Sequence, residues 1–386
     1  MPSNIINSPF STSIAPGHGK AVLSILPPGV PSLSALSYRY PLKLISRIPA
    51  CRLDSKYPAS ATTPVHLYLI SYGGGLLPGD HINVSIELQP RSRLVITTPQ
   101  GSTKLYKTES QAKRGKNDTR ISDASKLDRS QQVINVALSA ESGICYLPDP
   151  VVPFEKSKYE QLQHFTLLLG EDSSSLSSQP FKDRIEQKDC HRPSLCVLDW
   201  VTEGRSARGE KWSFSLWQGR NEVWAQDCKT GKKRLLLRDT VTLSDETSAS
   251  NEQDMPNGVG KQHMHQAIPS PTSTPSIAAR TAPHGVLGTL ILYGPLFDSL
   301  SSFFMEEFSA QPRIGAHYSS PSKSADETDT NKHSKVAWTA ALVRSGFVVV
   351  KFGAPDFESA KRWLGGMLRR EGSVEKEFGD EALSYL

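Results

Sequence analysis

The sequence predicts an all-β fold: a predominantly β chain of many short strands with two α-helices near its C-terminus. Three observations support this prediction. Apolar and polar residues alternate in segment after segment, which is typical of strands buried on one face. No long helical pattern separates these segments, which argues against a doubly wound α/β fold. Patterns with helical spacing occur late, at residues 296–308 and 356–370.

The strand pattern starts near Gly19. Residues 1–18 are rich in Ser, Pro and Gly, and we expect them to be disordered. From the pattern alone, a sandwich, a barrel and a β-helical stack all remain possible. Strands are predicted at residues 20–26, 39–46, 65–70, 81–88, 93–98, 133–138, 144–147, 159–169, 195–201, 222–227 and 234–238, with two more within 337–350.

The two late segments have the spacing of amphipathic helices. In the first, Leu300, Phe304 and Phe308 recur at intervals of four, and in the second Pro355 precedes the apolar stripe and Arg369 lies near its end. Residues 19–386 are predicted to form a single domain. Four polar inserts interrupt it, at about 109–129, 170–192, 244–283 and 319–335.

Composition limits the classes of partner and compartment. The net charge is +5, and the basic residues are scattered along the chain, so we expect no nucleic-acid partner. Five cysteines without a C-x-x-C pair indicate reduced thiols. No apolar run is long enough for a signal peptide or a bilayer span. The sequence therefore predicts a cytoplasmic protein without a membrane partner.

The most informative stretch is residues 71–107. Gly73, Gly74 and Gly75 are followed by Pro78-Gly79-Asp80 and then by a strand, and glycine is favoured where the backbone takes positive φ or approaches another group closely. An acid, Asp80, and a base, Lys104, lie at strand ends beside glycine loops. The turn leads into a strand, so it is not the phosphate-binding loop of a nucleotide site.

Two further segments carry acidic side chains. Prolines on both sides of Asp149 predict a rigid extended segment that holds this carboxylate in place. A later glycine-bounded loop contains Glu203 and Glu210 together with Arg205. Asp199 lies in the preceding predicted strand. By contrast, the paired imidazoles of His263 and His265 lie in a polar insert, and we do not expect them to form a useful metal site.

The order of five segments resembles the UreD (also called UreH) family of urease accessory proteins. The segments are GGG at 73–75, PGD at 78–80, LVITTPQGSTKLYK at 94–107, LPDPVVPF at 147–154 and GRSARGE at 204–210. The resemblance implies an irregular, helically wound β structure and a role without catalysis in urease maturation. It implies that apo-urease, a UreF-type protein and a UreG-type GTPase are partners, and that Ni²⁺ passes through transiently with no permanently bound cofactor.

The resemblance also gives the carboxylates a role. Oxygen ligands hold Ni²⁺ more loosely than clustered imidazole and thiolate, so a sparse file of carboxylates would pass the ion on without trapping it. The predicted transient relay consists of Asp80, Asp149, Asp199, Glu203 and Glu210. Predicted structural or lining residues are Gly73, Gly74, Gly75, Gly79, Lys104, Tyr106, Pro153, Phe154, Gln161, Gly204, Arg205 and Gly209.

Two other functions remain as alternatives. A β-rich carbohydrate-active enzyme would use paired carboxylates for acid–base chemistry and exposed tryptophans as sugar platforms. However, Trp212 is predicted to share a strand face with Phe214 and Leu216, which indicates a core residue. The second alternative, a passive assembly scaffold, differs from the relay only in that the carboxylates have no metal role.

Overall fold

The computed structural model describes residues 14–27, 29–48, 63–99, 103–107, 129–169, 191–245, 275–311 and 336–386. Within these ranges most of the regular structure is β. The strands are β1 (His18–Leu26), β2 (Val30–Tyr38), β3 (Leu42–Arg47), β4 (Val65–Ser71), β5 (His81–Leu88), β6 (Arg93–Thr97), β7 (Lys104–Leu105), β8 (Ser130–Leu138), β9 (Gly143–Tyr146), β10 (Val152–Pro153), β11 (Lys158–Leu169), β12 (Ser194–Thr202), β13 (Leu216–Asp227), β14 (Lys233–Ser244), β15 (Val286–Tyr293), β16 (Ala337–Val343) and β17 (Phe347–Ala354).

Two large mixed sheets contain nearly all of these strands. Sheet A has seven strands in the order β14-β13-β11-β8-β5-β1-β2, and sheet B has eight in the order β16-β17-β15-β12-β9-β6-β4-β3. Strands β5, β8, β11 and β13 are parallel neighbours in sheet A, and β4, β6, β9 and β12 are parallel neighbours in sheet B. The short strands β7 and β10 form a separate parallel pair.

The burial pattern of the strands follows from two apolar cores. The first core contains residues of both sheets, and the second contains residues of sheet B and of the late helices. Because sheet B is covered on both faces, β12 is buried at every position. In sheet A, inward and outward residues of β11 alternate between buried and half-buried over most of the strand.

The described helices are α1 (Ile277–Thr281), α2 (Asp298–Ser309), α3 (Phe357–Glu371) and α4 (Ser373–Phe378). The predictions of α2 and α3 are confirmed. The Asp356 side chain caps α3 by accepting a hydrogen bond from Ser359 N at 2.8 Å. The prediction that only two helices occur is wrong, since α1 and α4 are too short to show a helical period. Helix α1 also lies inside the predicted insert 244–283, which is therefore not polar filler throughout.

Several strand predictions need correction, and β15 was not predicted. Strand β2 was missed because its sequence, VPSLSALSY, alternates small polar residues with few large apolar ones. The strand predicted at 39–46 starts only at Leu42. Trp212 and Phe214 are core residues as predicted, at 5% and 0% exposure, but they precede β13. The Trp212 backbone has φ 53° and its N–H donates to Glu203 O, which is a loop geometry.

Several predictions fall largely outside the described residues. These are the disorder of residues 1–13, the inserts at 109–129, 170–192 and 319–335, and the histidine pair at 263 and 265. Within the predicted disordered segment, His18 opens β1. In the described part of the chain, no helix is long and apolar enough to cross a membrane.

Residues on the two sides of segment 246–274 meet, which makes this segment testable. The Asp245 carboxylate accepts a hydrogen bond from Ile277 N at 3.2 Å. We therefore expect a short Gly–Ser linker in place of 246–274 to change the free energy of unfolding by less than about 1 kcal/mol. In contrast, Ile277→Ala removes a fully buried side chain and should cost about 2–4 kcal/mol.

Urea unfolding followed by circular dichroism measures both changes. A loss of several kcal/mol on linker replacement would show that segment 246–274 contributes to the core.

Candidate functional site

A small cavity lined by both polar and apolar side chains lies between the two sheets. Its volume is about 30 Å³, which is room for about two water molecules. Side chains from both sheets and from the proline-rich segment line it, including Asp149, Asp199, Gln161, Tyr146 and Tyr159. Each of these five residues is less than 8% exposed. Asp149 and Asp199 therefore line the same internal cavity.

Asp199 reaches the cavity from the middle of β12. Its Oδ1 accepts a hydrogen bond from Gln161 Nε2 at 3.1 Å, and its Oδ2 accepts one from Asn221 Nδ2 at 3.0 Å. Tyr159 OH donates to Gln161 Oε1 at 3.0 Å and so orients that amide. Gly219 leaves the necessary space, since a Cβ atom there would lie 2.6 Å from Asp199 Oδ2. Both carboxylate oxygens thus have fixed neutral donors.

Asp149 is held by its backbone. Its N–H donates to Thr98 Oγ1 at 3.1 Å, and Trp200 Nε1 donates to the carbonyl of the preceding Pro148 at 2.8 Å. Among the described residues, Asp149 Oδ2 has no hydrogen-bond partner although it is buried. An oxygen of this kind is costly to leave unpaired. It is available to a water molecule or a cation in the cavity.

Burial changes the protonation of these groups. Desolvation raises the pKa of Asp149 to about 6, and Lys361 opposes this shift. Desolvation also raises the pKa of Asp199 to about 6, while the hydrogen bond from Asn221 opposes it. Burial raises the pKa of Tyr159 well above its ordinary value, so this phenol stays neutral. Near pH 7, above these pKa values, both carboxyl groups are mostly ionised, so a cation has few protons to displace.

The segments that carry the family resemblance converge beside the cavity. Tyr106 OH donates to Gly73 O at 3.2 Å, and the Tyr106 ring meets the Phe154 ring edge-on at 5.3 Å. The Arg205 guanidinium lies over Phe154 at 3.8 Å from the ring centre and forms an ion pair with Glu210. We call these five residues the motif cluster. Four segments distant in sequence thus form one contact network.

Close backbone contacts hold the motif cluster against the cavity. Leu76 N donates to Lys104 O at 2.9 Å, and Leu76 and Leu105 both line the cavity. At Gly75, a Cβ atom would lie 2.3 Å from Lys104 O, and at Gly204 one would lie 2.8 Å from Pro153 O. Positive φ also occurs at Gly73, Gly74, Gly79 and Gly209. The glycines allow the segments to pack this closely.

The structure separates the five predicted relay carboxylates into two groups. Asp149 and Asp199 line the cavity, as does the predicted lining residue Gln161 of β11. The others do not line it. Asp80 Oδ2 accepts from Leu77 N at 2.8 Å and so closes the glycine turn. Among the described ion pairs, none joins Asp80 to the exposed Lys104.

The remaining two carboxylates lie in the loop after β12. Glu210 pairs with Arg205, whose hydrogen bond lowers the pKa of Glu210. Glu203 is half-buried, and its backbone bonds to Gly285 and Trp212. Neither carboxylate contributes to the cavity lining.

Sequence reasoning missed several residues of the site. Tyr146 and Tyr159 lie in predicted strands and were read as ordinary strand residues, whereas Gly219 and Asn221 lie in β13 before the strand predicted at 222–227. Two signals pointed to them. A glycine inside a strand often marks a close approach, as at Gly219, and Asn221 is a polar residue at an inward position of an alternating strand. In the described part of the chain, no group of three or more His, Cys, Asp or Glu side chains is placed to hold a metal.

The fold and the site together define a class: a two-sheet β protein with two buried carboxylates along one internal cavity and a glycine- and arginine-containing cluster nearby. Comparison with known proteins identifies this class. The model of the UreD urease accessory protein family matches residues 19–178 and 190–382. The chain therefore belongs to the UreD urease accessory protein family, as the order of its motifs predicted.

Similar proteins occur in fungi and plants. The chain is 28% identical over 327 residues to an uncharacterized urease accessory protein ureD-like from Schizosaccharomyces pombe, covering 84% of each chain. It is 25% identical over 343 residues to urease accessory protein 4 from Cryptococcus neoformans, covering 86% of this chain and 84% of that protein. It is 26% identical over 332 residues to urease accessory protein D from Arabidopsis thaliana, covering 84% and 87%. Membership of the family supports a role in urease maturation.

The raised pKa of Asp149 predicts a pH dependence of stability. Because the folded state holds the proton more tightly than the unfolded state, raising the pH from about 4 through 6 costs stability. We expect the fall in the free energy of unfolding between pH 4 and pH 7 to be about 1–2 kcal/mol smaller in Asp149→Asn than in wild type. Chemical denaturation at pH 4, 5, 6 and 7 measures the effect.

The exposed carboxyl of Glu306 in α2 provides the control. Glu306→Gln should leave the pH profile unchanged. Identical pH profiles for wild type and Asp149→Asn would contradict the assignment of a buried, protonatable carboxyl.

Gly219 gives a second test of the site. In Gly219→Ala the new Cβ would lie 2.6 Å from Asp199 Oδ2 and 2.7 Å from the Trp217 ring, so we expect a loss of about 1–3 kcal/mol. The matched control is Gly366→Ala in α3, where no atom lies within 4 Å of the new Cβ. That change should stabilise the protein by up to about 1 kcal/mol. Equal effects of the two substitutions on the melting temperature would contradict the close approach at Gly219.

Proposed function

We propose that this protein is a metallochaperone scaffold that passes Ni²⁺ through its buried cavity toward the active site of apo-urease. Membership of the UreD family supports the urease part of this proposal. The observation that carries the nickel part is that two buried carboxylates, Asp149 and Asp199, line one internal cavity. The two carboxylates in the lining suit a cation and not an anion.

The chemistry of the lining favours brief occupancy. Carboxylate, amide and phenol oxygens are weaker ligands for Ni²⁺ than imidazole and thiolate, so the ion is exchanged and not stored. Asp199 already has two neutral donors, and Asp149 has an oxygen without a partner among the described residues. With pKa values of about 6, both carboxyl groups can bind a cation near pH 7 with little free energy needed for deprotonation.

The proposal includes partners that supply and accept the ion. Ni²⁺ would come from a UreG-type GTPase with a UreF-type protein and would pass to apo-urease, all in the cytoplasm. The metal is cargo, and we propose no permanently bound cofactor. The accessory role of the family fits a protein without catalytic turnover.

We further propose the helical winding that the resemblance implied. Successive parallel strands alternate between sheets, from β4 to β5 to β6 and onward to β12 and β13. Each pair of strands adds one position to each sheet. This advance supports a helically wound path for the middle of the chain.

The carbohydrate-active enzyme is the weaker alternative. Glycosidase carboxylates flank an open cleft that admits a sugar ring, whereas Asp149 and Asp199 are 7% and 6% exposed around a cavity of about 30 Å³. Trp212 is not a sugar platform, because it is 5% exposed and its Nε1 donates to His284 O at 2.9 Å.

Reconstituted activation tests the nickel route. Apo-urease is incubated with its accessory proteins, NiCl₂ and either wild-type protein or the Asp149→Asn/Asp199→Asn double variant. We expect the double variant to fold and to form complexes, yet to lower the rate of urease activation by about tenfold or more. Size-exclusion chromatography and thermal melts measure assembly and folding on the same samples.

Single variants separate the carboxylate groups. Glu306→Gln serves as the control and should activate like wild type. Asp80→Ala and Glu210→Ala, assayed alone, report whether the carboxylates outside the cavity also belong to the route. Wild-type activation by a stable, complex-forming double variant would leave only the passive scaffold.

A further inference from the structure

Polar residues continue outward from Asp199 to the protein surface. In sheet A, Asn221 donates to Asp199 Oδ2 and is paired with Asp239 of β14. In sheet B, Asp199 is paired with Thr289 of β15, and Thr289 with Lys351 of β17. We call these five residues the polar seam. Strand register places them at one level, so the seam leads from the cavity toward one side of the two sheets.

Lys351 closes the outer end of the polar seam. Its Nζ donates to Asp239 Oδ1 at 2.6 Å and to Thr289 Oγ1 at 3.5 Å, and so joins the two sheets. The Lys351 side chain is 47% exposed and that of Asp239 is 15% exposed. Behind them, Thr289 and Asn221 are 4% and 1% exposed. The ammonium group thus sits at the boundary between solvent and a buried set of oxygens.

The polar seam has more acceptors than donors. Asn221 Oδ1 and Asp239 Oδ2 are both buried and have no hydrogen-bond partner within the described residues. They belong to residues paired across β13 and β14. Buried acceptors are normally satisfied, so these two oxygens can each accept a further ligand. Carboxylate, amide and hydroxyl oxygens are the ligands of weakly held divalent cations.

We propose that the ammonium group of Lys351 is the resident cation of a divalent-cation position formed by Asp239, Asn221 and Thr289, and that a metal ion occupies this position by displacing it. The inference rests on the proposed function, because it places an entrance to the nickel route at Lys351. A lysine suits this role, since its single charge sits on a flexible stem that swings into solvent. Its return expels the ion and prevents trapping.

Nickel binding to the purified full-length protein tests this position. Isothermal titration with NiCl₂ compares wild type with Lys351→Met, which keeps the stem length and removes the charge. We expect Lys351→Met to bind Ni²⁺ about tenfold more tightly than wild type, because the competing cation is gone. The gain should vanish in Lys351→Met/Asp239→Asn. Lys376→Met removes an exposed charge from α4 and should behave like wild type.

Folding and function are read separately. If thermal melts show that Lys351→Met is unfolded, Lys351→Gln, which keeps a donor for Asp239, is titrated in its place. It should also bind Ni²⁺ more tightly than wild type. Wild-type nickel affinity in a folded Lys351 variant would overturn the proposal. A gain in nickel affinity that persists in Lys351→Met/Asp239→Asn would also overturn it. If the gain is found but the Asp149/Asp199 double variant activates urease normally, the cation position stands and the nickel route through the cavity fails.

Discussion

The parallel register across two facing sheets is the constraint on which this structure depends. As the chain passes from one sheet to the other, strand register fixes the position of each side chain that points between the sheets. Gln161 and Asn221 in sheet A therefore meet Asp199 in sheet B. A shift of one residue in any of these strands would turn its polar side chain to the opposite face. Register thus decides whether Asp199 has donors.

Buried carboxylates are unfavourable for stability, and this molecule lowers their cost by different means. Asp199 receives neutral hydrogen bonds from two amides, and Gly219 provides space for it. Asp149 is fixed by backbone contacts and flanking prolines, while one of its oxygens is left without a partner among the described residues. A buried carboxylate oxygen without a hydrogen-bond partner is rare in sites that serve only stability. It is expected where a group must accept a transient ligand.

The sequence predicted local features well because their signals are local. Period-two alternation located β5 and β11, helical spacing located α2 and α3, and the prolines around Asp149 marked a rigid segment. Asp149, Asp199 and Gln161 were named as candidates, but nothing in one sequence shows that they share a cavity. Their meeting depends on strand order and register between distant segments. Helices α1 and α4 are too short to have a period.

The same limit explains why motif residues and cavity residues differ. Glycine and arginine motifs stand out in a sequence, and here they build the motif cluster, in which Arg205 is shared between the Phe154 ring and the Glu210 carboxylate. A carboxylate saturated by a guanidinium has little left to offer a cation. Asp199, with amide donors only, keeps its charge uncompensated. In the proposed nickel route, the less conspicuous carboxylates inside the sheets are therefore better ligands for the ion than the carboxylate of the motif cluster.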